Sequence, residues 1–327
     1  MFGHTDMTNR IKDNGKNVIE LQIKALKKIK NSIDQSFINA VQAIVKCKSK
    51  VIICGVGKSG IIASKISATL SSVGTPSFSV SASDCSHGDL GRLTSEDILI
   101  LISNSGNTDE LENIIKYAKN MKINLIGIVS NKNSNLYKSA NIKLLMPEVE
   151  ESGYGIVPTS STTAQLSLGD ALAISIMKEK KFDKLDFKKF HPAGNLAKKL
   201  KTASDIMLIG NKIPFVNENI TMKQALKKLN SKRQGFLVVT NNQELTVGVF
   251  TDGDLKRLMQ KKSIINNLTI KNFITKNPFS VKANVLATDI LKQMNKKKIT
   301  NVCVYNGKNK RKTIGIIHIH NLINLIK

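Results

Sequence analysis

Read as apolar and polar positions, the chain changes period several times. Residues 1–50 carry a helical stripe after a polar start: Ile19, Ile23, Leu26, Ile29, Ile33 and Phe37 recur at steps of three and four, and Ala40, Val41, Ile44 and Val45 continue it. Lysines fill much of the opposite face, so the stripe predicts one or two amphipathic helices packed on the next domain or on a partner chain. From 51 to about 146, short apolar runs alternate with helical patterns. Strands are predicted at 51–55, 76–80, 98–102, 125–129 and 142–146, and helices up to Val73, over 109–120 and over 164–180. Near-continuous apolar strands alternating with helices imply a parallel sheet covered on both faces. From about 205 the chain repeats itself, with strands at 235–239 and 247–250 in the first copy and at 301–305 and 313–317 in the second. Units of that size bury their own faces poorly, so the two copies are expected to pair.

Ligands of a parallel sheet bind beyond the carboxyl ends of its strands, and the polar chemistry of this chain collects there. The first strand runs into Gly55, Val56, Gly57, Lys58, Ser59 and Gly60, directly before a helical pattern. Glycines permit a tight turn, and the free N–H groups of a helix start attract an anion. The stretch matches neither the P-loop nor the full dinucleotide fingerprint, so it reads either as a phosphate seat or as a tight connection. His87, in CSHGDLG, comes after the second strand on a loop shaped by Gly88 and Gly91. SNSGNTDE, from Ser103 to Glu110, comes after the third strand, and PTSSTT, from Pro158 to Thr163, opens a helix. The unbroken hydroxyl run in the latter exceeds what capping needs. Three polar, helix-opening turns at one end of one sheet point to a phosphorylated, hydroxyl-rich small molecule.

Composition changes this picture little. Apolar content is ordinary, and the apolar runs fall short of the ~20 residues of a membrane helix. The polar start MFGHTDMTNRIKDNGK has no signal-peptide core, and Cys47, Cys54, Cys85 and Cys303 are scattered without metal-type pairing. A cytoplasmic protein with reduced thiols and no membrane partner is expected. The formal net charge of +26 comes from lysines spread along the whole chain, without Trp and without a nucleic-acid-binding motif. It reads as composition rather than a nucleic-acid footprint, though such a field speeds capture of an anionic substrate.

GVGKSG, SHGDLG, ISNSGNTDE, PTSSTT with GDALA (169–173) and FHPAG (190–194), in this order, resemble the sugar-isomerase (SIS) domain and, as a set, the bacterial arabinose-5-phosphate isomerase family. The resemblance implies an α/β, flavodoxin-like fold with a five-stranded parallel sheet, and a division into an N-terminal helical segment over 1–38, a SIS domain over 39–200 and CBS domains over 204–262 and 270–327. It also implies interconversion of D-ribulose 5-phosphate and D-arabinose 5-phosphate through an enediol, feeding synthesis of the octulosonate sugar of lipopolysaccharide. A homotetramer is implied, with no required metal or organic cofactor. By motif position the catalytic set is Lys58, His87, Glu110, one of Glu150 or Glu151, and His191. Counting back from PTSSTT favours Glu150. The phosphate and sugar contacts implied are Gly57, Ser59, Ser103, Asn104, Ser105, Thr159, Ser160, Ser161 and Thr162. Cys54, close to the glycine turn, gives a soft metal a place to inhibit.

In CBS domains a Thr-x-x-Asp turn holds nucleotide phosphate and ribose, and Thr251 and Asp254 fit it. Helix capping by Thr251 and Asp252 is the simpler reading, because the matching turn from His318 to Asn321 lacks the pattern. His318 and His320, two apart, read as structural. The rival readings are an isomerase of another phosphosugar and a non-catalytic sugar-phosphate sensor, the latter disfavoured by the retained acid and base residues.

Overall fold

The computed structural model describes residues 2–232, 234–261 and 265–326, with side chains at 2–6, 195–196 and 324–326 outside the description. The expected segment ends at Met1, Lys262 and Lys327 lie outside the described residues. The chain divides into two compact units, Met1–Phe190 and His191–Lys327.

The first unit opens with helices α1 (Phe2–Asn31) and α2 (Gln35–Lys46). Strand and helix then alternate through β1 (Val51–Gly55), α3 (Lys58–Ser72), β2 (Ser77–Ser81), α4 (Ala82–Cys85), β3 (Ile98–Ile102), α5 (Glu112–Asn120), β4 (Asn124–Val129), α6 (Asn135–Ser139) and β5 (Ile142–Leu145). A single turn α7 (Gly153–Ile156), the long helix α8 (Ser160–Glu179) and α9 (Lys184–Phe190) complete it. The strands pair in parallel in the order β2-β1-β3-β4-β5, as expected for a flavodoxin-like sheet. Period-two alternation sends the strand residues into two cores. Val51, Ile53, Ile100 and Ile128 face α2, α3 and α8, whereas Ile52, Cys54, Leu99 and Leu101 face α4, α5 and α6. Each fully buried Ile or Leu contributes about 1.5–3 kcal/mol, which is why every residue of β1 and β3 is buried apolar or glycine.

One expectation is corrected here, for Cys54, and one is made specific: His87 lies exposed in the turn between α4 and Asp89. Ser81 caps α4, accepting the Asp84 N–H at 3.4 Å, and the His87 N–H donates to Asp84 O at 2.9 Å, so His87 ends a helical turn before a 3₁₀ turn at Asp89–Arg92. Cys54 offers no surface thiol beside the glycine turn. Its place in β1 turns it into the second core next to Cys85, and burial, reinforced by Cys85, pushes its thiol up to about 12.

The second unit begins with α10 (Gly194–Lys199) and α11 (Ala203–Ile206) and contains both repeats. The first comprises β6 (Phe215–Asn217), α12 (Met222–Lys232), β7 (Phe236–Thr240), β8 (Thr246–Thr251), α13 (Asp252–Lys261) and β9 (Thr275–Lys276). The second comprises β10 (Ser280–Lys282), α14 (Ala287–Lys297), β11 (Asn301–Tyr305), β12 (Thr313–His318) and α15 (Ile319–Ile326). Each has its own core, and the two join through Ile213, Phe236, Val238, Cys303 and Ile316. The matched strand starts meet where the hydroxyls of Thr246 and Thr313 approach to 2.8 Å. β12 ends at His318 and His320 lies in α15, so the two histidines do not share a strand face.

Candidate active site

The order of the parallel sheet reverses between β1 and β3, and the crevice beyond their carboxyl ends is where this fold places its ligands. Gly55 and Ile102 are register partners at those ends, so the glycine turn and the SNSGNT loop emerge side by side. The glycine turn needs its glycines. A Cβ on Gly55 would lie 2.8 Å from the Ser59 backbone, a Cβ on Gly60 2.8 Å from Gly55 O, and Gly57 adopts φ +56°. Lys58 is the first residue of α3, with its side chain exposed.

The loop after β3 is knit to itself. The Ser103 hydroxyl receives the Gly106 N–H at 2.9 Å and meets the Thr108 hydroxyl at 2.8 Å, and Ser103 is buried. Asn104 Oδ1 accepts from Ser130 Oγ at 2.7 Å, and Ser105 Oγ accepts the Asn107 N–H at 3.3 Å. Ser103 therefore shapes the loop, while Asn104, Ser105 and Asn107 are left exposed. Glu110 lies on the 3₁₀ turn Asp109–Leu111, also exposed.

The third turn joins the glycine turn through a residue that motif reading missed. Gln165, on the second turn of α8 and only 1% exposed, accepts from Ser59 Oγ at 3.2 Å. Near it, Lys65 and Asp170 form an ion pair between α3 and α8. The start of α8 holds an anion already: the carboxylate of Glu151. Its Oε2 accepts the backbone N–H of Thr159 and of Ser160, each at 2.8 Å, and its Oε1 accepts that of Ser161 at 3.3 Å. Burial pushes the Glu151 carboxyl up, but the bonds from Ser161, Thr159 and Ser160 outweigh it and hold it below the usual carboxylate range. Glu150 beside it is exposed. Ser160 and Ser161 are buried, and Thr162 is half-buried, with Thr162 Oγ1 bonded to Thr159 O at 3.0 Å. His191 opens the second unit, half-buried.

Comparison with known proteins bears on this constellation. Residues 43–175 match the SIS domain, and 203–261 and 270–327 each match the CBS domain. Arabinose 5-phosphate isomerase KdsD of Francisella tularensis subsp. tularensis is 41% identical over 325 residues, 98% of each chain. The chain belongs to the arabinose 5-phosphate isomerase family. KdsD of Yersinia pestis is 38% identical over 94% of each chain. The solved structure of c3406 from E. coli CFT073, in complex with arabinose 5-phosphate, has 37% identity and a TM-score of 0.54, covering 58% of this chain and all of that one. The present chain is thus a sugar-phosphate isomerase with two CBS domains.

In the second unit, Thr251 and Asp254 satisfy one another. Asp254 Oδ2 accepts from the Thr251 N–H at 2.9 Å and its hydroxyl at 2.8 Å, and Thr251 Oγ1 accepts the Asp254 N–H at 3.2 Å. That is a capping box on α13. At the matching point of the second repeat, His318 Nδ1 accepts the His320 N–H at 3.2 Å, and an imidazole caps α15 instead. A cleft of about 530 Å³ borders Thr251, Asp254, Arg257, Lys298, Asn301 and His318. No cluster of three metal-binding side chains occurs among the described residues. Among them, too, no helix is long and apolar enough to cross a membrane.

Proposed function

We propose that this isomerase interconverts D-ribulose 5-phosphate and D-arabinose 5-phosphate, and that its product feeds synthesis of the octulosonate sugar of lipopolysaccharide. The observation that carries the reading is identity of 41% along almost the entire chain to a named arabinose 5-phosphate isomerase. The convergence of three polar helix-opening turns on the switch point of the sheet supports it. The positive helix starts favour the phosphate, with Ser59, Asn104, Ser105 and Thr162 beside it.

The chemistry moves one proton between neighbouring carbons. From the ketose, a carboxylate of Glu110 or of the Glu150–Glu151 pair takes a proton from C1 and leaves an enediolate. The C1 hydroxyl proton passes to the oxygen on C2, and the carbon-bound proton returns at C2. Lys58 steadies the negative oxygens, since a fixed cation aimed at developing charge lowers the barrier. His87 is a second polar contact. His191, on its motif alone, is the acid/base at the oxygens. The protein acts in the cytoplasm as a homotetramer.

Turnover of ribulose 5-phosphate by Glu110→Gln, Glu150→Gln, Glu151→Gln, Lys58→Ala and His191→Ala tests the assignment. Loss of a proton-transferring group costs about 10²–10⁴ in kcat, so at least one carboxylate variant falls in that range. Parental turnover in His191→Ala removes that residue from the mechanism, and parental turnover in every variant contradicts the site.

A further inference from the structure

The amides that open α8 are the phosphate seat of the reading above, yet a side chain of the same molecule fills them. Glu151 takes the N–H groups of Thr159, Ser160 and Ser161, and the Thr159 hydroxyl lies 3.2 Å from the same carboxylate. Each amide has a single proton to give, and two anions at one helix start repel. A phosphate and Glu151 therefore exclude one another there.

A second feature marks this spot as built for a larger polar group. Five buried side-chain polar atoms among the described residues have no partner, and three of them, Ser152 Oγ, Ser160 Oγ and Gln165 Nε2, belong to the entry of α8. Ser160 is 0% and Gln165 1% exposed, so water does not readily serve them. Unpaired buried polar groups are rare and costly, and Ser160 Oγ, on the residue whose own N–H Glu151 takes, calls for a partner richer in acceptors than a carboxylate. A phosphoryl group brings three acceptor oxygens where a carboxylate brings two.

We propose that Glu151 is an internal stand-in for the substrate's phosphate, displaced from the first turn of α8 when the phosphate docks. This rests on the phosphosugar reading of the site. Leaving costs little packing. Glu151 connects to α8 through α7, a turn closed by a bridge between Ser152 and Val157 and by the Ser152 N–H donating to Thr159 Oγ1 at 3.1 Å, and Tyr154 and Ile156 at its tip are 102% and 75% exposed. Departure also frees Glu151 from the bonds that suppress its proton affinity. The phosphate thus turns a poor base into an ordinary one beside the sugar-binding turns, and the phosphate end of the substrate controls the readiness of the carboxylate pair.

The test is binding of inorganic phosphate to the full chain. The protein has no tryptophan, so Tyr154→Trp places a lone tryptophan, excited apart from the remaining tyrosines, on the α7 tip. Phosphate should change its fluorescence saturably. Removing the competitor should tighten phosphate binding: if the amides are free about a tenth of the time, Glu151→Ala binds about tenfold more tightly. Should Glu151→Ala not fold, Glu151→Gln, which keeps a capping oxygen without the charge, should also bind more tightly. Equal or weaker binding by these variants overturns the exchange and leaves the phosphate seat standing. Absence of saturable phosphate binding by parent and variants alike, measured by calorimetry, overturns both.

Discussion

The hydroxyl of Ser59 donates to Oε1 of Gln165 at 3.2 Å, tying the first turn of α3 to the second turn of α8. Lys58 stands one residue before Ser59, and α8 opens with the hydroxyl run five residues before Gln165. One buried carboxamide therefore ties the turn that carries Lys58 to the turn proposed to hold the phosphate. Gln165→Leu keeps the bulk and removes the acceptor. Turnover should fall about tenfold, since a displacement of ~1 Å at a reacting group costs up to about a hundredfold. The melting temperature should change little by comparison, and steady-state kinetics set beside a thermal melt check both.

Close packing of the same two helices depends on Gly169. A Cβ there would lie 2.2 Å from Ile66 Cδ1 and 2.4 Å from its Cγ1. Gly169→Ala should destabilise the first unit by about 1–3 kcal/mol, the usual cost of overpacking. Chemical denaturation checks this, and an unchanged midpoint contradicts the contact.

Asp97 holds the opposite end of the sheet. Its buried carboxylate accepts from Ser49 Oγ at 2.7 Å, from the Thr94 N–H at 2.7 Å and from Lys50 Nζ at 3.0 Å. Burial alone pushes this carboxyl up, but the bonds from Ser49, Thr94 and Lys50 prevail and hold it below its usual value. A depressed carboxyl stabilises the fold above the unfolded value and loses that contribution as pH falls through the folded one. Asp97→Asn should cost about 3 kcal/mol at neutral pH and flatten the acid limb of stability against pH, as denaturation midpoints across a pH series would record.

Thiol chemistry tracks burial. Cys54, Cys85 and Cys303 are buried and Cys47 half-buried, with Cys303 pushed up to about 12 by burial. In the native protein a thiol reagent should modify Cys47 alone, and all four cysteines should react after denaturation. Rapid native labelling of Cys54 contradicts its placement in the core.

How much of this was legible beforehand depends on the scale of the signal. The central strands β1 and β3 are unbroken apolar runs and match the expected limits residue for residue, whereas the edge strand β2, where serines alternate with Phe78 and Val80, shifts by one, 76–80 against Ser77–Ser81. The side of the sheet that Cys54 faces was obscured by its nearness to the glycine turn, although alternation along β1 already paired it with Ile52. Gln165 had no signal, because a single polar residue in a helix reads as exposed until the neighbouring helix is known. Counting back from PTSSTT favoured Glu150 and gave the adjacent Glu151 no distinct place. What separates them is a turn in which Tyr154 takes φ +62°, and that turn carries one carboxylate onto the amides of α8.

The central claim is the substrate. D-ribulose 5-phosphate incubated with the purified full-length protein, with products resolved by chromatography or NMR, tests it most directly. D-arabinose 5-phosphate should accumulate to an equilibrium reached from either sugar. Ribulose 5-phosphate left unchanged, while another phosphosugar is isomerised, would contradict it.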